Sequence, residues 1–380
     1  MAGIYIHIPF CRKACSYCNF HFSTDLKQID DFLFSLKKEI GMKSDFISDK
    51  VTIETIYFGG GTPGLLATKE ISSVLEIIEK KFNISSNAEI TIEANPDDID
   101  YLKVKEWMRL GINRISLGIQ SFSDKELQWM NRNHSSGQSI LSINQIIDAG
   151  ISNFSVDLIF GSQLQSKNEL IQNIEIITEK KIPHISCYAL TAEPKTLLHH
   201  LIKTKKAEEI QSEKQAAQFL LIMDLLNEYG YEQYEISNYS LPGKRSRHNS
   251  SYWAGKPYFG FGPSAHSFDG INKRRWNVSN NALYVKSIMA DSIPFEEELL
   301  TPTQQLNEYI MTSIRTIEGI QINEITSRFG LEISQKLLDA CKNEMNKGRI
   351  IVTERTIFLS KEGKLFADGI AADLFFDQHT

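Results

Sequence analysis

Cys11, Cys15 and Cys18 stand at CxxxCxxC spacing within YIHIPFCRKACSYCNF, residues 5–20. Three thiolates on one short loop can hold three corners of a cubane iron–sulfur cluster and leave the fourth iron open, whereas ordinary electron-transfer clusters are closed by four cysteines. Structural zinc sites pair a CxxC with a second CxxC or with two histidines, and no second pair follows here. The spacing therefore predicts a [4Fe–4S] cluster on Cys11, Cys15 and Cys18 whose open iron takes a ligand other than a side chain. The next stretch with chemical content is Gly59-Gly60-Gly61-Thr62-Pro63. Consecutive glycines allow close backbone approach to a ligand, and free amides there suit a carboxylate or amine; a plain tight turn is the other reading. Polar residues also interrupt apolar runs: Glu93 in TIEANP, Gln120 in SLGIQSF, Arg132 in MNRNH and Asp157 in VDLIFG. Glu93 is predicted either to face outward or to be buried and paired, and Asp157 could be a buried partner of Arg132.

A later stretch, His248-Asn-Ser-Ser-Tyr252-Trp253, precedes the glycine- and aromatic-rich YFGFGPSAHS at 258–267, which ends near His266. Imidazole nitrogen is a standard axial ligand for heme iron, and aromatic rings supply a flat apolar wall. A packed loop with a hydrogen-bonded histidine is the alternative. Two basic runs flank this region, Lys244-Arg245-Ser-Arg247 and Lys273-Arg274-Arg275. Arginine forks match carboxylates, so these runs are predicted either to hold heme propionates or to be solvated surface.

The elements that must position these residues alternate. Short β-branched runs at 3–9, 51–58, 88–95, 114–121, 153–161 and 184–191 read as strands, and helical periodicity such as Ile71, Val74, Leu75, Ile78 and Phe82 fills the intervals. Gly111, Gly150 and Gly230 mark helix ends before the following strands. A long helix over 208–229 leads to a seventh strand at 231–239. Such βαβ repetition predicts a parallel α/β sheet, with the cysteine loop after the first strand and the other motifs at later strand ends, where barrel chemistry collects. From about residue 300 the pattern becomes helices at 306–316, 322–329 and 333–347, then a hairpin from 349–353 and 356–359, reading as a smaller helical, winged-helix-like module. Its third helix carries Lys336, Asp339, Lys342, Glu344 and Lys347, too balanced a set to grip nucleic acid.

With 380 residues, 42% of them hydrophobic, and a formal charge of −6, the chain is ordinary globular material without a nucleic-acid footprint. No apolar run reaches the roughly 18 residues that a transmembrane segment needs. The first residues lack the basic and apolar regions of a signal peptide. Five cysteines, three of them clustered, make no disulfide framework and predict a reducing cytoplasmic setting.

CxxxCx(aromatic)C after Ile8-Pro9-Phe10, joined to the GGGTP run, resembles the radical S-adenosylmethionine (SAM) superfamily, and YIHIPFC resembles its group of oxygen-independent coproporphyrinogen III oxidases and HemW heme chaperones. The resemblance implies a partial (β/α)6 radical-SAM barrel over 1–240, a region at 241–300 packing on the barrel, and a smaller C-terminal HemN-like domain over 301–380. It implies a cluster whose open iron takes the amino and carboxylate groups of SAM, and reductive cleavage of SAM to a 5′-deoxyadenosyl radical. By the same resemblance Tyr5, Tyr17 (stacked on adenine), Gly60, Gly61, Thr62, Glu93, Gln120, Arg132, Asp157, Ala189 and His266 bind SAM. HNSSYW looks like the HemW signature, which implies heme at His248, Tyr252 and Trp253.

Two departures separate the oxidases from this chain. They carry a fourth cysteine where Phe20 stands, and a segment before the first strand that covers substrate, which is expected to be missing here. Gly161-Ser-Gln-Leu-Gln also departs from the usual Gly-Leu-Pro turn. The expectation is a cytoplasmic heme chaperone that delivers heme to apo-hemoproteins, its cluster served by a reductant protein. A coproporphyrinogen III oxidase and another radical SAM transferase are the alternatives.

Overall fold

Isoleucine at every second position drives the first strand, β1 (Ala2–Ile8): Ile4, Ile6 and Ile8 are fully buried on one face, while Gly3, Tyr5 and His7 share the other. The computed structural model describes residues 2–43 and 51–377. Five further parallel strands follow, β2 (Thr52–Gly60), β3 (Asn83–Ala94), β4 (Arg114–Gln120), β5 (Phe154–Phe160) and β6 (His184–Ala189), each paired to the one before it. The interval helices are α1 (Ile29–Lys43), α2 (Thr68–Lys81), α3 (Tyr101–Arg109), α4 (Asp124–Trp129), α5 (Ser136–Ala149) and α6 (Lys167–Glu179). Their apolar faces cover the outward strand residues, as with Ile71, Val74, Leu75 and Ile78 of α2.

The inward faces are different. Closed (β/α) barrels fill their interior with branched apolar side chains, but here the inward positions include Thr55, Tyr57, Glu89, Thr91, Glu93, Arg114, Ser116, Ser155, Asp157, His184 and Ser186. Contacts between neighbouring strands fix that orientation: Tyr57 of β2 donates to Glu93 of β3 (2.7 Å) and Ser155 of β5 to Ser116 of β4 (3.1 Å). The fold is thus a partial α/β barrel with an apolar outer layer and a polar lumen.

The chain continues through α7 (Leu197–Lys203) and α8 (Ser212–Glu228), which starts four residues later than the predicted 208. The predicted seventh strand at 231–239 is instead two short antiparallel strands, β7 (Glu232–Gln233) and β8 (Asn238–Ser240); β8 closes on β6. Glu235 breaks the run, accepting from the Ser237 amide at 3.1 Å and from the Asn238 side chain. Residues 241–300 do more than pack on the barrel. After α9 (Arg247–Trp253), β9 (Tyr258–Phe261) pairs parallel to β1, and β10 (His266–Phe268), β11 (Lys273–Asn277) and β12 (Phe295–Leu299) extend the sheet antiparallel, with α10 (Asn281–Met289) before β12. The order is β12-β11-β10-β9-β1-β2-β3-β4-β5-β6-β8-β7.

A second apolar core, including Leu306, Ile310, Ile325, Leu337, Cys341 and Ile357, organises the C-terminal part. It comprises α11 (Pro302–Ile314), β13 (Ile320–Gln321), α12 (Ile322–Phe329), α13 (Leu331–Asn346), the hairpin β14 (Ile350–Val352) and β15 (Thr356–Leu359), and α14 (Ala367–Asp373). The predicted hairpin is present, with β13 added to its edge. No described helix is long and apolar enough to cross a membrane.

Candidate functional site

A cavity of about 520 Å³ opens at the carboxyl ends of the parallel strands, and all three clustered cysteines line it. The loop carrying them is pinned at several points. Cys11 N donates to Ser23 O (3.0 Å), Ser16 N to Met130 O (3.0 Å), and the Asn131 side chain to Ala14 O (2.7 Å). Desolvation pushes the Cys11 thiol up to about 11 and raises Cys18 as well.

From the segments that follow β2 and α4, side chains reach the sulfurs. Arg132 donates to Cys15 Sγ (3.3 Å), to Asn95 Oδ1 (2.5 Å) and to Gly118 O (2.6 Å), and Asn95 in turn donates to Thr62, whose hydroxyl donates to Cys11 Sγ at 3.5 Å. Hydrogen bonds to cluster sulfurs and coordinating thiolates are among the protein's means of tuning such centres. Among the described residues the other two cysteines lie elsewhere: Cys187 is buried on β6 and Cys341 in the C-terminal core. The donor set fits a cluster with three protein ligands and one open iron.

Most residues assigned to SAM by resemblance come together here. Tyr17, Gly60, Gly61, Thr62, Glu93, Gln120, Arg132, Asp157 and Ala189 all line the cavity. Glu93 accepts from Tyr57 Oη (2.7 Å) and Gly60 N (3.1 Å), and its removal from bulk solvent, with Asp157 nearby, lifts its carboxyl to about 7. Asp157 is raised to about 6 by burial, opposed by hydrogen bonds from Ser186 and Ser116 and by the Arg114 and Arg132 charges. Gln120 sits at φ 71°, a left-handed conformation uncommon for a side-chain-bearing residue. Such strain clusters at ligand sites.

The structure corrects several expectations. The glycine amides are not free for a ligand: Gly60 N donates to Glu93, Gly61 N to Ile8 O (2.8 Å), and Thr62 N to Phe10 O (2.7 Å). A Cβ on Gly61 would stand 2.6 Å from Phe10 O and 2.8 Å from Phe10 N. The glycines thus let this loop press against the backbone just before Cys11. Arg132 turns to Asn95, Gly118 and Cys15, so it is not the direct partner of Asp157. Tyr5 lies below the cavity lining, its hydroxyl 3.2 Å from His7 Nδ1, and His266 lies outside the lining, stacked on Trp276.

His248 departs furthest from its predicted part. It is 1% exposed at the floor of the barrel, with Nδ1 2.7 Å from Thr55 Oγ1 and Nε2 2.9 Å from Tyr252 Oη. Tyr57 stacks on it at 4.9 Å, and burial with the Arg114 charge pushes it down to about 3. Both ring nitrogens are occupied, so this imidazole does not fit an iron ligand. Tyr252 is its partner, and Trp253 lies under the Arg315 guanidinium. Most of the basic side chains are already paired: Arg245 with Glu232 and Glu318, Arg274 with Glu308, and Lys273 and Arg275 with Glu297, while Arg247 donates to Asn87 O.

Sequence reasoning missed Asn95 and Gly118. Asn95 joins Arg132 to Thr62, and a Cβ on Gly118 would meet Gln120, Asn95 and Arg132 within 3.3 Å. A usable signal was present, since Asn95 is two residues past Glu93 and Gly118 two before Gln120, both in the alternation that faces the lumen.

Residues 5–177 match the Radical SAM superfamily and residues 300–366 the HemN C-terminal domain. The chain is 30% identical to a Bacillus subtilis protein named heme chaperone HemW, over 97% of this chain and 98% of that one. It is 28% identical to a Mycobacterium tuberculosis protein of the same name, over 98% and 94%. The structure of Escherichia coli coproporphyrinogen III oxidase (HemN), described as a radical SAM enzyme, is similar with a TM-score of 0.85 at 19% identity, covering 100% of this chain and 90% of that one; at that identity the similarity is one of fold. Because the likeness to the Bacillus protein runs from end to end and the barrel and C-terminal domain follow in the same chain, the protein belongs to the HemW family of the radical SAM superfamily.

Proposed function

We propose that this protein is a heme chaperone: it carries a [4Fe–4S] cluster on Cys11, Cys15 and Cys18, binds SAM in the cavity above the barrel, and binds heme for delivery to apo-hemoproteins. The observation that carries the cofactor part is the cavity itself, where three thiols meet the ends of six parallel strands with no fourth thiol among its lining residues. The full-length similarity to proteins named heme chaperones supports the cargo.

A cluster of this kind, once reduced, supplies the electron that cleaves SAM. The chain's own part is positional. Arg132 and Thr62 direct hydrogen bonds at two sulfurs, Glu93 presents a carboxyl anchored by Tyr57 and Gly60, and Tyr17 offers an aromatic ring beside the cysteine loop. Glu93 suits the amino group of SAM, and Asp157 and Gln120 suit its hydroxyl-bearing part. A reductant protein must approach the cysteine loop, and the reduced state of the thiols suits a cytoplasmic setting.

Phe20 stands at the cavity rim, 69% exposed, where the oxidases carry their extra cysteine. This weighs for chaperone over oxidase. The test is anaerobic reconstitution followed by separate assays of hemin binding and coproporphyrinogen III turnover. Hemin binding without decarboxylation is expected; decarboxylation coupled to 5′-deoxyadenosine release would place the protein with the oxidases.

A further inference from the structure

If the protein carries heme, its iron needs a ligand, and His248 cannot serve. Sequence position does not reveal a substitute, but among the described residues the exposure and partners of the histidines do. His7, His134, His184 and His248 are all buried, and each has a ring nitrogen in a hydrogen bond. His21 is half-buried, with Nε2 2.7 Å from Asn281 Oδ1, and stacks on His7. His199 and His200 lie on α7, away from the aromatic rings of the sheet extension. His266 is different: it is exposed on β10, and its ring stacks on Trp276 with centroids 6.0 Å apart and planes 25° from parallel.

Strand register shows what surrounds it. His266 pairs with Trp276 and Phe268 with Arg274, while Phe268 also pairs with Tyr258. Register partners and residues two apart share a sheet face, so His266, Trp276, Phe268, Tyr258 and Arg274 occupy one face of the β9–β11 extension. Trp276, Phe268 and Tyr258 are only half-buried. Tyr252, from the HNSSYW stretch, packs edge-on against Tyr258 at 4.5 Å while its hydroxyl reaches His248. Arg274 lies over Phe268, paired to Glu308 through Nη1 and with Nε lacking a hydrogen-bond partner.

We infer that His266 is the heme-iron ligand, on an aromatic platform of Trp276, Phe268 and Tyr258 that Tyr252 buttresses from below. This rests on the heme-chaperone reading and gives it a location. A flat macrocycle needs an apolar face and an imidazole nitrogen not spent on the protein, and this face provides both; its one cation, Arg274, is already paired with Glu308, and Glu296 and Glu298 share the face by register. It also gives HNSSYW a role that its burial allows. His248 fixes Tyr252, Tyr252 fixes Tyr258, and the heme itself meets other residues.

The experiment is hemin titration of the cluster-reconstituted protein, wild type against His266→Ala and His266→Met, followed by the Soret band and ferric-heme electron paramagnetic resonance. His266→Ala should weaken hemin binding about tenfold or more and shift the band, with added imidazole restoring the wild-type spectrum. His266→Met should bind with a different spectrum. Unchanged iron and sulfide content in both variants reports an intact fold. Wild-type affinity and spectrum in His266→Ala would overturn this assignment and leave the chaperone reading standing. A wild-type protein that binds no hemin would remove the chaperone reading, and this assignment with it.

Discussion

Replacing His248 by Ala separates a histidine built into the barrel floor from one held ready for a ligand. The substitution leaves the Thr55 hydroxyl (2.7 Å from Nδ1) and the Tyr252 hydroxyl (2.9 Å from Nε2) without their partner and empties the space against Tyr57. Unsatisfied buried polar groups and a cavity of this kind together cost about 3–5 kcal/mol. The pH dependence is the sharper criterion. Burial holds His248 at about 3 in the folded state against an ordinary value of 6.5, so between those values the unfolded chain binds a proton that the folded chain does not. Its folded pKa is depressed, so wild-type stability falls as pH drops below 6.5. Down to about pH 5 the loss is about 1.5 units at 1.36 kcal/mol each, or about 2 kcal/mol. The Ala variant does not suffer that loss, while contributions from buried His7, His134 and His184 are common to both chains. The destabilisation measured by urea unfolding should therefore shrink by about 2 kcal/mol between about pH 7.5 and about pH 5. A pH-independent difference would mean that His248 titrates normally in the folded protein, and the buried-floor account would be wrong.

Single replacement of Cys11, Cys15 or Cys18 by Ala should abolish the reconstituted cluster, whereas Cys187→Ala and Cys341→Ala should retain it; iron, sulfide and absorbance measurements decide. Gly61→Ala puts a methyl group 2.6 Å from Phe10 O and 2.9 Å from Ile8 O, so the loop must shift and give up its bonds to both. A loss of about 2–4 kcal/mol is expected, read in thermal unfolding, together with poorer iron retention; wild-type behaviour would mean that the close approach does not hold the cysteine loop. Arg245 is forked between Glu232 and Glu318, and Arg247 donates to Asn87 O. Replacing both by Ala should leave hemin affinity within about twofold of wild type, since groups already paired have little to give a propionate; a tenfold loss would return these arginines to the heme site.

The locally written features are those the sequence made legible. Alternating Ile4, Ile6 and Ile8, the amphipathic helix around Ile71–Ile78, and the glycines that follow α3, α5 and α8 depend on neighbours a few residues away, so period and turn chemistry suffice. The cysteine loop belongs to the same class, because three ligands on eight consecutive residues need no distant partner to be recognised. Even the gathering of Gly60, Glu93, Gln120, Asp157 and Ala189 follows from local reading, since parallel strands bring their carboxyl ends to one side. The 231–239 run shows the limit of propensity: its side chains favour a strand, but Glu235 and Asn238 hydrogen-bond locally and break it. Short β9–β12 went unread because glycines and charged residues obscure their alternation.

What only the tertiary structure decided is which polar groups are already spent. His248 reads as a ligand in its own hexapeptide, and its fate is set by Thr55, 193 positions away, and by Tyr57 beside it. The amides of Gly60 and Gly61 read as open, but Glu93 and Ile8 had taken them. Arg245 reads as a free cation until Glu318 is placed against it. Spacing tells which groups a chain offers; a hydrogen bond or ion pair consumes that offer through contacts between segments distant in sequence, and the folded packing alone determines them.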